Sequence, residues 1–102
     1  MLKFINNNYH IRSININYAV KQMIYLYDIN YIGVFTPFYF LIFNVKTLNF
    51  ASRYRFENNN FTEDNAVIYL NEYNANMLAY SISGVIYVMY VNPVGGNIMV
   101  HN

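Results

Sequence analysis

Apolar and polar residues alternate most clearly near the middle of the chain. Over residues 47–57, one parity carries large apolar side chains and the other carries polar or charged ones. This period of two is typical of a strand with one buried face. The pattern predicts a strand over 47–57 whose core-facing side chains are Leu48, Phe50, Tyr54 and Phe56. The asparagines at 58–60 predict a loop after it.

The first part of the chain carries weaker strand signals. Isoleucine and asparagine alternate over residues 14–17, which predicts a strand near residues 9–18. Residues 21–28 have no clean period, but Tyr25 and Tyr27 would share one face of a strand. Strand is therefore favoured over helix for 21–28.

The most apolar stretch of the chain allows two interpretations. Residues 29–45 contain no charged side chain, but they include two asparagines and Pro37. A helix that crosses a bilayer needs about 20 apolar residues, and this window is shorter. We therefore expect a buried strand after a turn at Thr36 and Pro37. The alternative is a membrane subunit that crosses the bilayer near 29–45 and again near 77–91.

A helix is predicted over about residues 63–80. Thr62 is a suitable N-cap, and Glu63 and Asp64 suit the positive end of a helix dipole. Apolar residues then recur at steps of three or four, at Ala66, Tyr69, Leu70, Tyr73, Met77 and Tyr80.

The end of the chain predicts a hairpin. Residues 85–91 are rich in β-branched and aromatic side chains, which is typical of a strand covered on both faces. Asn92 and Pro93 end this strand, and Gly95 and Gly96 permit a tight reversal.

The expected fold is one α+β domain over residues 1–102. It has a small antiparallel sheet of four to six strands, and the helix at about 63–80 packs on that sheet.

The composition indicates more apolar material than one small core needs. Hydrophobic residues make up 56% of the 102 residues, aromatic residues 20% and charged residues 11%, against a usual charged share of about 25%. The net charge of +1 does not favour nucleic acid as a partner. The abundance of Asn, Ile, Tyr and Phe fits an AT-rich genome, which suggests a viral, mobile-element or organellar source.

The sequence offers no convincing catalytic or metal-binding set. There is no cysteine, and the two histidines, His10 and His101, lie near opposite termini. A zinc site needs three or four ligands, so neither a metal nor a cofactor is expected. The predicted helix dipole accounts for Glu63 and Asp64, and the loop at 92–97 lacks the lysine of a phosphate-binding loop. We therefore do not expect an enzyme.

Several side chains are candidates for contact with another protein. Within the predicted strand, Arg53 and Arg55 point to one face and the rings of Tyr54 and Phe56 to the other. The two arginines suit an acidic patch on a protein partner. Tyrosine adds contact area while its hydroxyl stays hydrogen-bonded. The candidate interaction residues are Arg53, Arg55, Tyr25, Tyr27 and Tyr87.

These features favour a structural or accessory subunit of a larger assembly, which buries aromatic surface against copies of itself or another chain. An alternative is a small mobile-element inhibitor that binds and blocks a host protein. The membrane subunit is a further alternative. No cleavable signal peptide is evident at the start of the sequence, so the expected location is cytosolic, virion or organellar.

Overall fold

The structure, a computed structural model, describes residues 11–56, 61–62, 64–65, 67–72 and 75–101. These residues form eight strands and no helix. The first sheet contains β1 (Gln22–Leu26), β2 (Tyr31–Phe35), β3 (Tyr39–Asn44) and β4 (Phe50–Arg55). The second sheet contains β5 (Val67–Glu72), β6 (Ala75–Ile82), β7 (Val85–Val91) and β8 (Ile98–His101).

Each sheet is an antiparallel meander in which strands adjacent in sequence are also adjacent in space. Short turns with suitable residues make this order possible. Between β6 and β7, Ser83 and Gly84 have φ angles of 52° and 78°. Two consecutive positive φ angles match the hand of turn that suits the twist of a hairpin.

The main core lies between the two sheets and is rich in aromatic rings. The ring of Phe35 lies 4.5 Å from the ring of Phe61 and 5.8 Å from that of Tyr80 in the second sheet. The largest fully buried apolar side chains come from both sheets and from the connection between them: Leu26, Phe35, Phe40, Ile42, Phe61, Leu78, Met89 and Val91. Burial of this apolar surface holds the two sheets together.

The α+β prediction is wrong, because the described part of residues 63–80 forms β5 and β6. Burial there has a period of two: Asn76, Leu78, Tyr80 and Ile82 are buried in alternation along β6. Thr62 does not cap a helix. Instead, Asn65 Oδ1 accepts hydrogen bonds from the backbone nitrogen and the hydroxyl of Thr62, at 2.7 and 3.2 Å. Residues 63, 66, 73 and 74 lie outside the described residues.

The strand predicted near residues 9–18 is also not observed over 11–18, and residues 9 and 10 lie outside the described part. The other strand predictions fare better. Residues 21–28 contain β1, and the turn after β2 lies at Thr36 and Pro37, followed by the buried strand β3. A strand after Gly84 and a closing hairpin through Gly95 and Gly96 are both confirmed.

The strand predicted over 47–57 is shorter, and a β-bulge divides its faces. Phe43 of β3 pairs with Phe50, whereas Ile42 pairs with Ser52, so Ala51 is an extra residue in β4. Because of this extra residue, the side chains that precede the bulge point to the opposite face from the one that strict alternation predicts. Tyr54 and Phe56 therefore face the core as predicted, whereas Phe50 is 54% exposed and faces outward, contrary to the prediction. Leu48 lies in the preceding turn, with a φ of 59°.

Candidate protein-interaction site

The second sheet has one face turned away from the core, and apolar residues dominate it. We call it the second-sheet outer face and define it as Ile68, Leu70, Met77, Ala79, Ser81, Ile86, Val88, Tyr90 and Met99. The strand register places these residues in cross-strand rows, such as Met77 beside Tyr90 and Tyr90 beside Met99. Ile86 is 68% exposed, and Ile68 and Met99 are also well exposed. A shallow depression of about 260 Å³ lies among Ile68, Ala79, Ser81 and Ile86.

None of the nine residues that define the second-sheet outer face is charged, although the register places Glu72, at the end of β5, on the same parity as Ile68 and Leu70. Residues 73–102 contain no Asp, Glu, Lys or Arg. The outer face of an antiparallel sheet in water is usually polar. β7 was expected to be covered on both faces, but Val85 and Ile86 are exposed in the structure. The apolar pattern that suggested a covered strand is therefore present, but within the described part of the chain nothing covers Val85 and Ile86.

Part of the outer face of the first sheet is, by contrast, covered by the chain itself. Residues 11–20 run across it without pairing as a strand, and Ile16 packs against the buried side chains of Val34, Leu41 and Phe43. Arg12 fastens this segment by donating hydrogen bonds to the backbone oxygens of Val45, at 3.1 Å, and Lys46. An apolar cleft of about 270 Å³ remains under the segment.

Charge is divided unequally along the chain. All six Lys and Arg residues lie within residues 1–55, where Asp28 is the only acidic residue. The other four acidic residues fall between 57 and 72. The part of the chain that contains the first sheet is therefore basic, although the whole chain is nearly neutral. Clustered charges of one sign attract an oppositely charged partner.

Two arginines and a tyrosine form an exposed cluster on the first sheet. The guanidinium carbons of Arg53 and Arg55 lie 5.3 and 5.5 Å from the centre of the Tyr39 ring, within the range of cation–π attraction. Arg55 Nη1 also donates a hydrogen bond of 3.2 Å to Tyr39 Oη. This bond and the charges of Arg55 and Arg53 lower the pKa of Tyr39, outweighing the opposite effect of its partial burial.

Tyr25 and Tyr27, both candidate interaction residues, are exposed at one end of the first sheet. Tyr25 lies in β1 and donates a hydrogen bond to Asn30 Oδ1 at 3.1 Å. Tyr27 lies just after β1, and its ring meets the edge of the Tyr69 ring at 5.0 Å. Burial and the negative charge of Asp28 raise the pKa of Tyr69. Tyr27 therefore contributes to the contact between the sheets, whereas the hydrogen bond of Tyr25 lies within the first sheet.

Tyr87, the remaining candidate, is only partly exposed. Its ring stacks on the buried ring of Tyr80 with centroids 5.2 Å apart and packs against the main core. Arg53 and Arg55 are exposed on the same face of β4, opposite to the inward rings of Tyr54 and Phe56. The structure thus brings the two arginines together but separates them from Tyr87, which lies in the other sheet.

Residues considered for other chemistry do not come together in the described part of the chain. No group of three or more His, Asp or Glu side chains there could hold a metal ion. His10 and Glu63 lie outside the described residues, and Asp64 is exposed. The loop at 92–97 forms the predicted turn, in which Gly96 N donates a hydrogen bond of 3.0 Å to Asn92 O.

Sequence reasoning did not identify the second-sheet outer face or Tyr39. The signal for the face was the absence of charge after residue 72, combined with apolar residues on both parities of residues 85–91. Tyr39 could not be found from the sequence, because its place beside Arg55 follows from the register of β3 and β4.

Residues 29–45 contain β2, β3 and the turn between them, and 77–91 contain most of β6 together with β7. Among the described residues, no helix is long and apolar enough to cross a membrane.

Comparisons with protein-family models, curated proteins and solved structures found no significant match to this chain.

Proposed function

We propose that this protein is a non-catalytic structural subunit of a protein assembly, in which the second-sheet outer face is buried against another chain. The observation that supports this is the combination of apolar character and exposure on one sheet face, to which β6, β7 and β8 contribute no Asp, Glu, Lys or Arg. A contiguous apolar patch of more than a few hundred Å² is rare on a free monomer and usually marks a contact site.

A second copy of this chain is the partner that fits the face best. An apolar surface is complementary to itself, and the net charge of +1 leaves little repulsion between copies. Two sheet faces can pack about 10 Å apart with their strands nearly aligned, as in a β-sandwich. A two-fold axis through the face would bury the same residues on both copies.

The size of the face sets the expected strength of this contact. Four strands about 4.8 Å apart and about six residues long at about 3.3 Å each cover roughly 400 Å². Two such faces would remove about 800 Å² from water, less than the roughly 1,600 Å² of a standard stable interface. We therefore expect reversible self-association, with dissociation in the micromolar range.

Sedimentation velocity from nanomolar to micromolar concentration tests the proposal. The wild-type chain should increase in mass with concentration, and Ile86→Lys should remain a monomer because it places a charge within the face. Val94→Lys is the matched control, since Val94 is 81% exposed but lies in the 92–97 turn outside the face. A monomer at every concentration would contradict the proposal and favour the inhibitor alternative.

A further inference from the structure

The strand β4 forms an edge of the first sheet. It is last in the strand order, and within the described residues no strand pairs with its other side. Phe56 N donates a hydrogen bond of 2.9 Å to Phe38 O, which places these residues opposite each other as a hydrogen-bonded pair. In an antiparallel ladder such pairs alternate with non-bonded ones. The backbone N–H and C=O groups of Arg53 and Arg55 are therefore directed toward the open edge.

The side chains at this edge are arranged to meet negative charge. Arg53 and Arg55 are two residues apart on one face, so their side chains emerge about 7 Å apart. The ring and hydroxyl of Tyr39 hold both guanidinium groups near the strand. Neither arginine forms an ion pair with an acidic residue in the part of the chain that the structure describes.

We propose that the β4 edge binds an acidic peptide in extended conformation, which joins the sheet as an added strand and places carboxylates on Arg53 and Arg55. The main-chain bonds would supply affinity and the arginines would select acidic residues at every second position. This site lies on the first sheet and does not depend on the second-sheet outer face.

A peptide fits this edge better than a nucleic acid does. The exposed N–H and C=O groups of an edge strand are complementary to another peptide backbone, which has both donors and acceptors. A phosphate backbone has no donors to offer the carbonyl groups. Nucleic-acid affinity also rests on neutralising many phosphates, and this edge presents two arginines in a chain of net charge +1.

The test measures fluorescence anisotropy of a labelled peptide that alternates Glu with Val. Wild-type protein should bind it, and Arg53→Gln and Arg55→Gln should each weaken binding roughly fivefold, because each removes one partly solvated charge pair. Lys46→Gln is the matched control, since it removes the same charge from an exposed turn and should leave affinity unchanged. Ile86→Lys should also bind normally, which separates this site from the proposed assembly contact.

Two further measurements distinguish binding as an added strand from general electrostatic attraction. Methylating alternate backbone nitrogens of the peptide should abolish binding, because it removes the donors that pair with β4. Saturation with the unmodified peptide should raise the pKa of Tyr39, since carboxylates then offset the arginine charges. The proposal is overturned if Lys46→Gln weakens binding as much as Arg53→Gln, if the methylated peptide binds equally well, or if single-stranded DNA binds more tightly than the peptide.

Discussion

The ring of Phe40 lies against the backbone of Gly33, so close that a Cβ atom on Gly33 would be 2.6 Å from Phe40 Cζ. Phe40 is fully buried, and its ring also packs 4.5 Å from that of Phe35. Gly33 is therefore required because its lack of a side chain makes room for an aromatic ring in the main core. This contact joins the middle of β2 to β3. It fixes how closely the Phe40 ring packs on β2.

Gly33→Ala should destabilise the fold by about 1–3 kcal/mol, since the added methyl group overpacks a filled core. Urea denaturation would measure the change in the free energy of unfolding. Phe40→Leu provides the control, because a smaller side chain at that position removes the clash. In the Phe40→Leu background the cost of Gly33→Ala should shrink. An unchanged cost would show that the strain comes from somewhere other than the ring.

Because of the bulge in β4, two phenylalanines of the same parity should differ in how much stability the fold loses when each is replaced by alanine. Phe56→Ala should cost about 3–5 kcal/mol, the usual range for removing a buried ring. Phe50→Ala should cost about 1 kcal/mol, because that ring is half exposed and contacts Phe43 on the outer face. Thermal or urea unfolding of both variants measures these losses and shows which ring faces the core and which faces outward. Equal losses would mean that the strand has no bulge and that both rings face the core.

The pKa values of two tyrosines should be shifted in opposite directions from the usual value. Tyr39 should lose its proton below the usual pKa of about 10, and Tyr69 above it. Because the pKa of Tyr39 is lower in the folded chain, its contribution to stability is present above about pH 10 and is lost as pH falls through the lowered pKa. The contribution of Tyr69 is present below about pH 10 and is lost as pH rises through its raised pKa.

Ultraviolet absorbance of tyrosinate can assign these two steps. Tyr39→Phe should remove a step that lies below the usual pKa of tyrosine, and Tyr69→Phe should remove one that lies above it. Arg55→Gln should raise the pKa of Tyr39, because the hydrogen bond from Arg55 is the largest cause of its shift. If Arg55→Gln leaves the pKa of Tyr39 unchanged, the contact between Arg55 and Tyr39 does not control that tyrosine.

Local patterns in the sequence were sufficient where one interpretation had no competitor. The turn at Pro37, the break at Gly84 and the reversal at Gly95 and Gly96 follow from backbone preferences that tertiary packing did not override. The opposite orientations of Arg55 and Phe56 followed from the period of two in a strand. All these features depend on residues that are close in sequence.

The helix prediction was wrong because the same residues satisfy two periods. Tyr69 and Tyr80 fit a helical stripe, but they also face the core as members of β5 and β6. Cap signals at Thr62 decided in favour of the helix, whereas the asparagines at 71, 74 and 76 are poor interior helix residues and counted against it. The free energy gained by pairing the two strands and burying their side chains exceeds that of one capping hydrogen bond. The strands therefore form in place of the predicted helix.

The bulge and the arginine cluster could not be predicted for a different reason. An inserted residue such as Ala51 is visible only when β4 is aligned with β3. Likewise, Tyr39 lies sixteen positions before Arg55, and only the register brings their side chains together. Long-range pairing of this kind leaves no signal in one sequence read from end to end.

The most direct test of the central claim is an isotope-filtered nuclear Overhauser experiment on a mixture of labelled and unlabelled copies. If copies pack through the second-sheet outer face, cross-peaks between copies should connect the methyl groups of Ile86, Val88 and Met99, and none should involve Val94. Ile86→Lys should remove these cross-peaks while leaving those within one copy unchanged. The absence of any cross-peak between copies, or cross-peaks that involve Val94 but not Ile86, would contradict the proposed assembly contact.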